Sequence, residues 1–70
     1  MDKKTENKIQ KLYDEFEKVG VKGKEYIRLG KESQKEGDFS TARLYAKKAS
    51  DLGIKRRELV FKINELNSMS

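Results

Sequence analysis

Val19-Gly20-Val21-Lys22-Gly23-Lys24-Glu25-Tyr26-Ile27 decides how this chain folds, and its pattern recurs as Leu52-Gly53-Ile54-Lys55-Arg56-Arg57-Glu58-Leu59-Val60. In each stretch an apolar residue, a glycine and a second apolar residue precede a charged run. Glycine enters the left-handed conformation of a helix C′ position without a Cβ penalty, and an apolar residue often packs just past such a cap. Both stretches therefore read as chain reversals. Working outward, Ile9, Leu12, Tyr13, Phe16 and Val19 recur at three and four, which predicts a helix over residues 4–19. A second helix is expected over 22–36, with Tyr26, Ile27, Leu29, Gly30 and Ser33 on its inner side and Gly37 ending it. Asp38 or Ser40 can cap a third helix, 40–52, by accepting a backbone N–H bond. That helix carries Ala42, Tyr45, Ala46, Ala49 and Leu52. A fourth, 55–67, carries Leu59, Val60, Ile63 and Leu66.

Folding the chain at Gly37-Asp38 sets these residues against one another. Ser33 meets Ala42, Gly30 meets Tyr45, Tyr26 meets Ala49 and Gly23 meets Leu52. Further out, Phe16 meets Leu59, Leu12 meets Ile63 and Ile9 meets Leu66. Near the turn a large residue faces a small one, which is how helices reach high packing density. Only Val19 against Arg56 breaks the apolar seam. The expected fold is all-α: a small antiparallel four-helix bundle forming a single domain over residues 1–70. The alternative is one long two-helix antiparallel hairpin, because the heptad Ala42, Tyr45, Ala49, Leu52, Arg56, Leu59, Ile63, Leu66 runs through Gly53. Against the hairpin, Gly20, Gly23 and Gly53 each cost about 1 kcal/mol inside a helix, and all three lie at one level.

Composition narrows the function classes. The 70 residues contain no Cys, His, Trp or Pro, and 41% are charged. Disulfide and thiolate chemistry are excluded, as are the commonest general base and the commonest metal ligand. No apolar run approaches the ~18 residues of a membrane span. The polar start Met1-Asp2-Lys3-Lys4 does not read as a signal peptide, so a cytoplasmic location is expected. Asp14, Glu15 and Glu17 spread around the first helix, and Ser33 and Ser40 have no base nearby in sequence. Gly20-x-x-Gly23-Lys24 lacks the full spacing and the preceding strand of a phosphate loop. No enzyme, catalytic residue, metal site or cofactor is expected.

What remains is binding. Lys24, Arg28, Lys31 and Lys35 fall at intervals of four, three and four and form one basic stripe along the second helix. Such a stripe can clamp the carboxylates of an acidic protein segment through charge-assisted hydrogen bonds, although Glu25, Glu32 and Glu36 can also pair with it along the helix. The net charge of +5 resides in residues 43–57, where Arg43, Lys47, Lys48, Lys55, Arg56 and Arg57 face only Asp51. This second cluster suits nucleic-acid phosphates or an anionic membrane surface, although along the sequence no aromatic residues interleave with it to stack on bases. Val21, Leu44 and Phe61 lie off the seam and could form a homo-oligomer contact.

Residues 23–56 resemble a tetratricopeptide repeat, a helical hairpin of about 34 residues. The signature positions read Tyr26, Leu29, Gly30, then Gly37 and Phe39 at the turn, then Ala42, Ala46, Ala49 and Leu52. Ser33 and Ala46 depart from the usual aromatics, and no Pro follows Leu52. The resemblance implies a peptide-gripping concave face, on which Lys24, Arg28, Lys31 and Lys35 would lie. Gly37 to Leu59, with the run Ala42-Arg43-Leu44-Tyr45-Ala46-Lys47-Lys48 and the ending Leu66-Asn67-Ser68-Met69-Ser70, also resembles the first helical hairpin of ESCRT-III-type membrane-remodelling proteins. That likeness implies a self-assembling hairpin.

Overall fold

The computed structural model describes residues 3–69, and in it two helices, α1 (Lys3–Lys35) and α2 (Phe39–Ser68), lie antiparallel against each other. Met1, Asp2 and Ser70, which the readings of the start and of the C-terminal ending include, lie outside the described residues.

The turn follows from its two central residues. Gly37 has φ +82°, the left-handed conformation that glycine adopts most cheaply. Its N–H donates to the Gln34 carbonyl at 3.1 Å, and the Asp38 N–H donates to the Ser33 carbonyl at 2.9 Å. These paired bonds are the Schellman closure, which satisfies carbonyls left over at the end of α1. Asp38 then starts α2. Its carboxylate accepts the Thr41 backbone N–H at 3.2 Å and the Thr41 hydroxyl at 2.6 Å. Of the two expected caps, Asp38 serves and Ser40 lies within the first turn.

The bonds from Thr41, the hydroxyl first and the backbone N–H second, hold the Asp38 carboxyl below its ordinary 3.8. A carboxylate bonded in this way favours the folded state above its unfolded pKa and loses that contribution as pH falls through the lower, folded value. Hairpin stability should therefore drop below pH 3.8. Asp38→Ala should lower the thermal midpoint at neutral pH and flatten this acid limb. Thermal melts followed by circular dichroism between neutral and acid pH check both.

The seam is the one that the pairing across Gly37-Asp38 predicts. On α1, Ile9, Leu12, Phe16, Val19, Gly23, Tyr26, Gly30 and Ser33 are buried or half-buried; on α2, so are Ala42, Tyr45, Ala49, Leu52, Leu59, Ile63 and Leu66. These positions alternate by three and four, the spacing of an antiparallel coiled coil, except where the exposed Arg56 takes the seam position between Leu52 and Leu59. A Cβ on Gly30 would sit 3.5 Å from the Tyr45 Cβ, so large meets small there as expected. Tyr26 and Tyr45 stack, with centroids 5.9 Å apart. Among the described residues Val19, Leu59 and Ile63 are the most buried, at 7%, 3% and 5% exposure.

The four-helix bundle does not form. The four expected segments are two helices, and the alternative two-helix hairpin fits. Gly20 and Gly23 lie inside α1 and Gly53 inside α2, and among the described residues Gly37 is the glycine with positive φ. The reason is the seam itself. Breaking α1 after Val19 and α2 after Leu52 would divide a seam that resumes beyond both sites, with Tyr26 on α1 and Leu59 and Ile63 on α2, to save about 1 kcal/mol per glycine, less than one buried aliphatic side chain contributes. An alanine at Gly53 would meet nothing within 4 Å. Gly53→Ala should therefore stabilise the hairpin by about 0.5–1 kcal/mol, as urea titration would measure. A left-handed reversal at that site would give the opposite sign.

The hairpin is thin, with extents of 53 × 14 × 10 Å and a radius of gyration of 16.0 Å. A compact chain of this length has a radius near 11 Å and about 4,500 Å² of accessible surface. This one exposes 5818 Å². Two helices make one seam and leave an apolar flank beside it.

Candidate functional site

That flank is a groove along one face of the hairpin. Four recesses join through shared lining residues. The recess nearest the turn, about 420 Å³, is lined by Tyr26, Ile27, Gly30, Phe39, Ala42 and Ala46 among others. Ile27 links it to a smaller one of about 170 Å³ between Gly20, Gly23, Ala49 and Gly53. Gly53 and Arg56 continue into a third, about 450 Å³, with Phe16, Val60 and Phe61. Phe16, Val60 and Asn64 carry it on to Tyr13 and Ile63.

The heptad explains why the groove lies on this face. Positions next to the seam on one side are Tyr13, Gly20, Ile27 and Gln34 on α1, and Phe39, Ala46, Gly53 and Val60 on α2. Each stripe repeats every seventh residue. Running antiparallel, they oppose Tyr13 to Val60, Gly20 to Gly53, Ile27 to Ala46 and Gln34 to Phe39. The other side of the seam carries Lys8, Glu15, Lys22 and the half-buried Leu29 on α1, and Thr41, Lys48, Lys55 and Lys62 on α2. There Lys55 pairs with Glu15 at 3.4 Å, and the Lys48 ammonium lies 5.6 Å from the Tyr26 ring centre. Apart from Leu29 one edge is polar and bridged, and the other is uncharged and open.

The charged residues lining the groove are all cations: Lys24 and Lys31 from α1, and Arg43, Arg56 and Arg57 from α2. None makes an ion pair among the described residues. Arg56 is held in place. Its guanidinium lies 4.4 Å from the Phe16 ring centre and about 3.8 Å from where a Gly20 Cβ would stand, so it reaches across the narrow middle of the groove. A cation over a ring face is attracted by the ring quadrupole, and that contact leaves its N–H donors free for an anion.

Folding splits both basic clusters and recombines them. Of the stripe on α1, Lys24 and Lys31 line the groove, whereas Arg28 and Lys35 fall at the outermost heptad position. Arg28 is also engaged along its own helix, 2.8 Å from Glu32 and 3.9 Å from Glu25. Of the second cluster, Arg43, Arg56 and Arg57 join the groove, whereas Lys47, Lys48 and Lys55 do not. Sequence spacing placed the bases helix by helix and missed the face shared between helices. The two seven-residue stripes were the signal that could have revealed it. Aromatic rings of Tyr13, Phe16, Tyr26, Phe39 and Phe61 also come to lie among the cations, an interleaving absent along the chain. Of the off-seam apolar residues, Phe61, 77% exposed, lines the groove; Val21 and Leu44 do not.

Among the described residues no group of three or more Asp or Glu side chains could hold a metal ion, and no helix is long and apolar enough to cross a membrane. Comparison of the chain with protein-family models, with curated proteins and with solved structures finds no match.

Proposed function

We propose that this protein is a non-catalytic interaction module that takes an acidic protein segment into the groove between α1 and α2. The observation that carries this reading is the lining itself: an apolar floor with five cations and no carboxylate. Lys24 and Lys31 line one wall, and Arg43 and Arg57 the other, with Arg56 between them. Apolar residues of the segment would cover Ile27, Phe39, Val60 and Phe61, and its carboxylates would accept charge-assisted hydrogen bonds from the rim. The net charge of +5 would steer an acidic partner toward the hairpin, an effect that weakens with salt.

Charge argues against a second copy as the occupant, and the form of the groove argues against the others. A second copy laid face to face would set five cations against five, and like charges opposed in this way cost affinity. A lipid surface takes up the apolar face of a single helix lying on it, whereas here Ile27, Phe39, Val60 and Phe61 line recesses shared by two helices. Nucleic acid would need open ring faces for stacking. Tyr13, Phe39 and Phe61 are exposed, but Phe16 lies under Arg56 and Tyr26 against Tyr45 and Lys48, and a duplex has no apolar side chains to cover Ile27, Val60 and Phe61.

The direct experiment is fluorescence anisotropy with a labelled amphipathic peptide of Ala, Leu and Glu. Binding that weakens steadily with salt, with a Lys-for-Glu version failing to bind, supports the reading. Absence of binding at low salt, or tighter binding to duplex DNA than to the peptide, overturns it.

A further inference from the structure

We infer that the bound segment lies in the groove as an α-helix, closest to the hairpin at Gly53, with a carboxylate on Arg56. This rests on the reading of the groove as a site for an acidic segment and specifies the form that segment takes.

The first argument concerns backbone polarity. Both walls are unbroken helices, so their backbone donors and acceptors are used within α1 and α2. An extended segment in this groove would lose water from its own N–H and C=O groups and find no backbone partners, which is costly. A helix brings its backbone bonds with it. Peptide recognition in helical grooves uses this mode, whereas strand addition needs an open sheet edge.

The second argument is geometric. The stripes Tyr13-Gly20-Ile27-Gln34 and Phe39-Ala46-Gly53-Val60 repeat every seventh residue, flanking the seam on one side only. That is where a third helix packs when a hairpin becomes a three-helix bundle. The lining of α2 from Phe39 to Asn64 covers about 38 Å at ~1.5 Å per residue, matching a helix of about 25 residues.

The third argument is the open position at Gly53. Gly20 and Gly53 line the same recess, and a Cβ on Gly53 would meet nothing within 4 Å. The seam between α1 and α2 does not need the missing side chain at Gly53, and each interior glycine weakens its helix. The Arg56 guanidinium stands over Gly20, but the floor is bare at Gly53, which lets a partner helix approach closely or insert a large side chain there. Arg56 stands at the same level, fixed over Phe16 and without a carboxylate. A Glu on the partner, one turn from its closest residue, would meet it.

The test compares two labelled peptides of about 25 residues with the same Ala, Leu and Glu content, one of them carrying two central prolines. The regular peptide should bind and gain helical circular dichroism on the hairpin. The proline version should bind about a hundredfold more weakly, because Pro removes a backbone bond and clashes within a helix. Gly53→Leu should fill the middle of the groove, leave the thermal midpoint of the free hairpin unchanged or raised, and weaken the regular peptide at least about tenfold. Arg56→Gln keeps the position helical and should weaken binding about tenfold. Equal binding of both peptides overturns the helical seating and leaves the acidic-segment reading standing. Unchanged affinity in both variants, each with a normal melt, overturns the placement at Gly53 and Arg56. Failure of both peptides to bind removes the acidic-segment reading along with it.

Discussion

Leu59→Ala is expected to destabilise the hairpin by about 2–4 kcal/mol, the cost of removing a buried leucine and leaving a cavity. Leu59 is 3% exposed and is the most deeply buried side chain of the seam. With Val19 and Ile63 it makes up the buried core among the described residues, so each of the three carries a large share of the burial. A chain of this length has about 4–10 kcal/mol of stability in total, and the excess surface of this one places it toward the lower end. The variant should therefore show a much lower urea midpoint and a populated unfolded fraction at room temperature. Far-ultraviolet circular dichroism follows the loss directly. Phe61→Ala, also in α2 but 77% exposed, should change stability little by comparison. A cost below about 1 kcal/mol for Leu59→Ala would show that the seam does not run through this residue.

The second large effect concerns binding. Lys31→Glu together with Arg43→Glu should weaken capture of the acidic peptide about a hundredfold, because each charge-assisted hydrogen bond contributes about 1.5–3 kcal/mol. Both residues line the recess nearest the turn, one from each helix, and neither has a carboxylate partner among the described residues. Their reversal should leave the fold intact, since exposed side chains away from the seam rarely shift stability by more than about 0.5 kcal/mol. The control is Lys8→Glu with Lys62→Glu, on the polar edge. It changes net charge by the same amount, so it should slow association slightly through the long-range field while leaving most of the affinity. Equal losses in the two double variants would mean that the peptide responds to overall charge and not to the groove.

Several features were legible in the amino-acid sequence. Periodicity at three and four marked the helical segments, since an apolar stripe has to share one face. The Gly37-Asp38 turn was legible because its chemistry is local: a residue free to take positive φ, then a short carboxylate able to cap. The pairing of Gly30 with Tyr45 followed from the position of that turn, because an antiparallel hairpin with a fixed turn has a fixed register.

Whether Gly20, Gly23 and Gly53 end helices or lie within them was decided by the tertiary structure. Local propensity disfavours each of them by about 1 kcal/mol. Continuity of a seam that buries Val19, Leu59 and Ile63 outweighs that cost, and the gain exists only once both helices are present. The groove has the same origin. Lys24 and Lys31 belong to one local stripe, and Arg43, Arg56 and Arg57 to another. They line a common face only because helix pairing turns one side of each stripe toward the other. Sequence determined that the chain is helical and where it turns, because those depend on neighbouring residues. Which cations share a surface depends on contacts between residues far apart in the chain, and only the packed pair of helices fixes that.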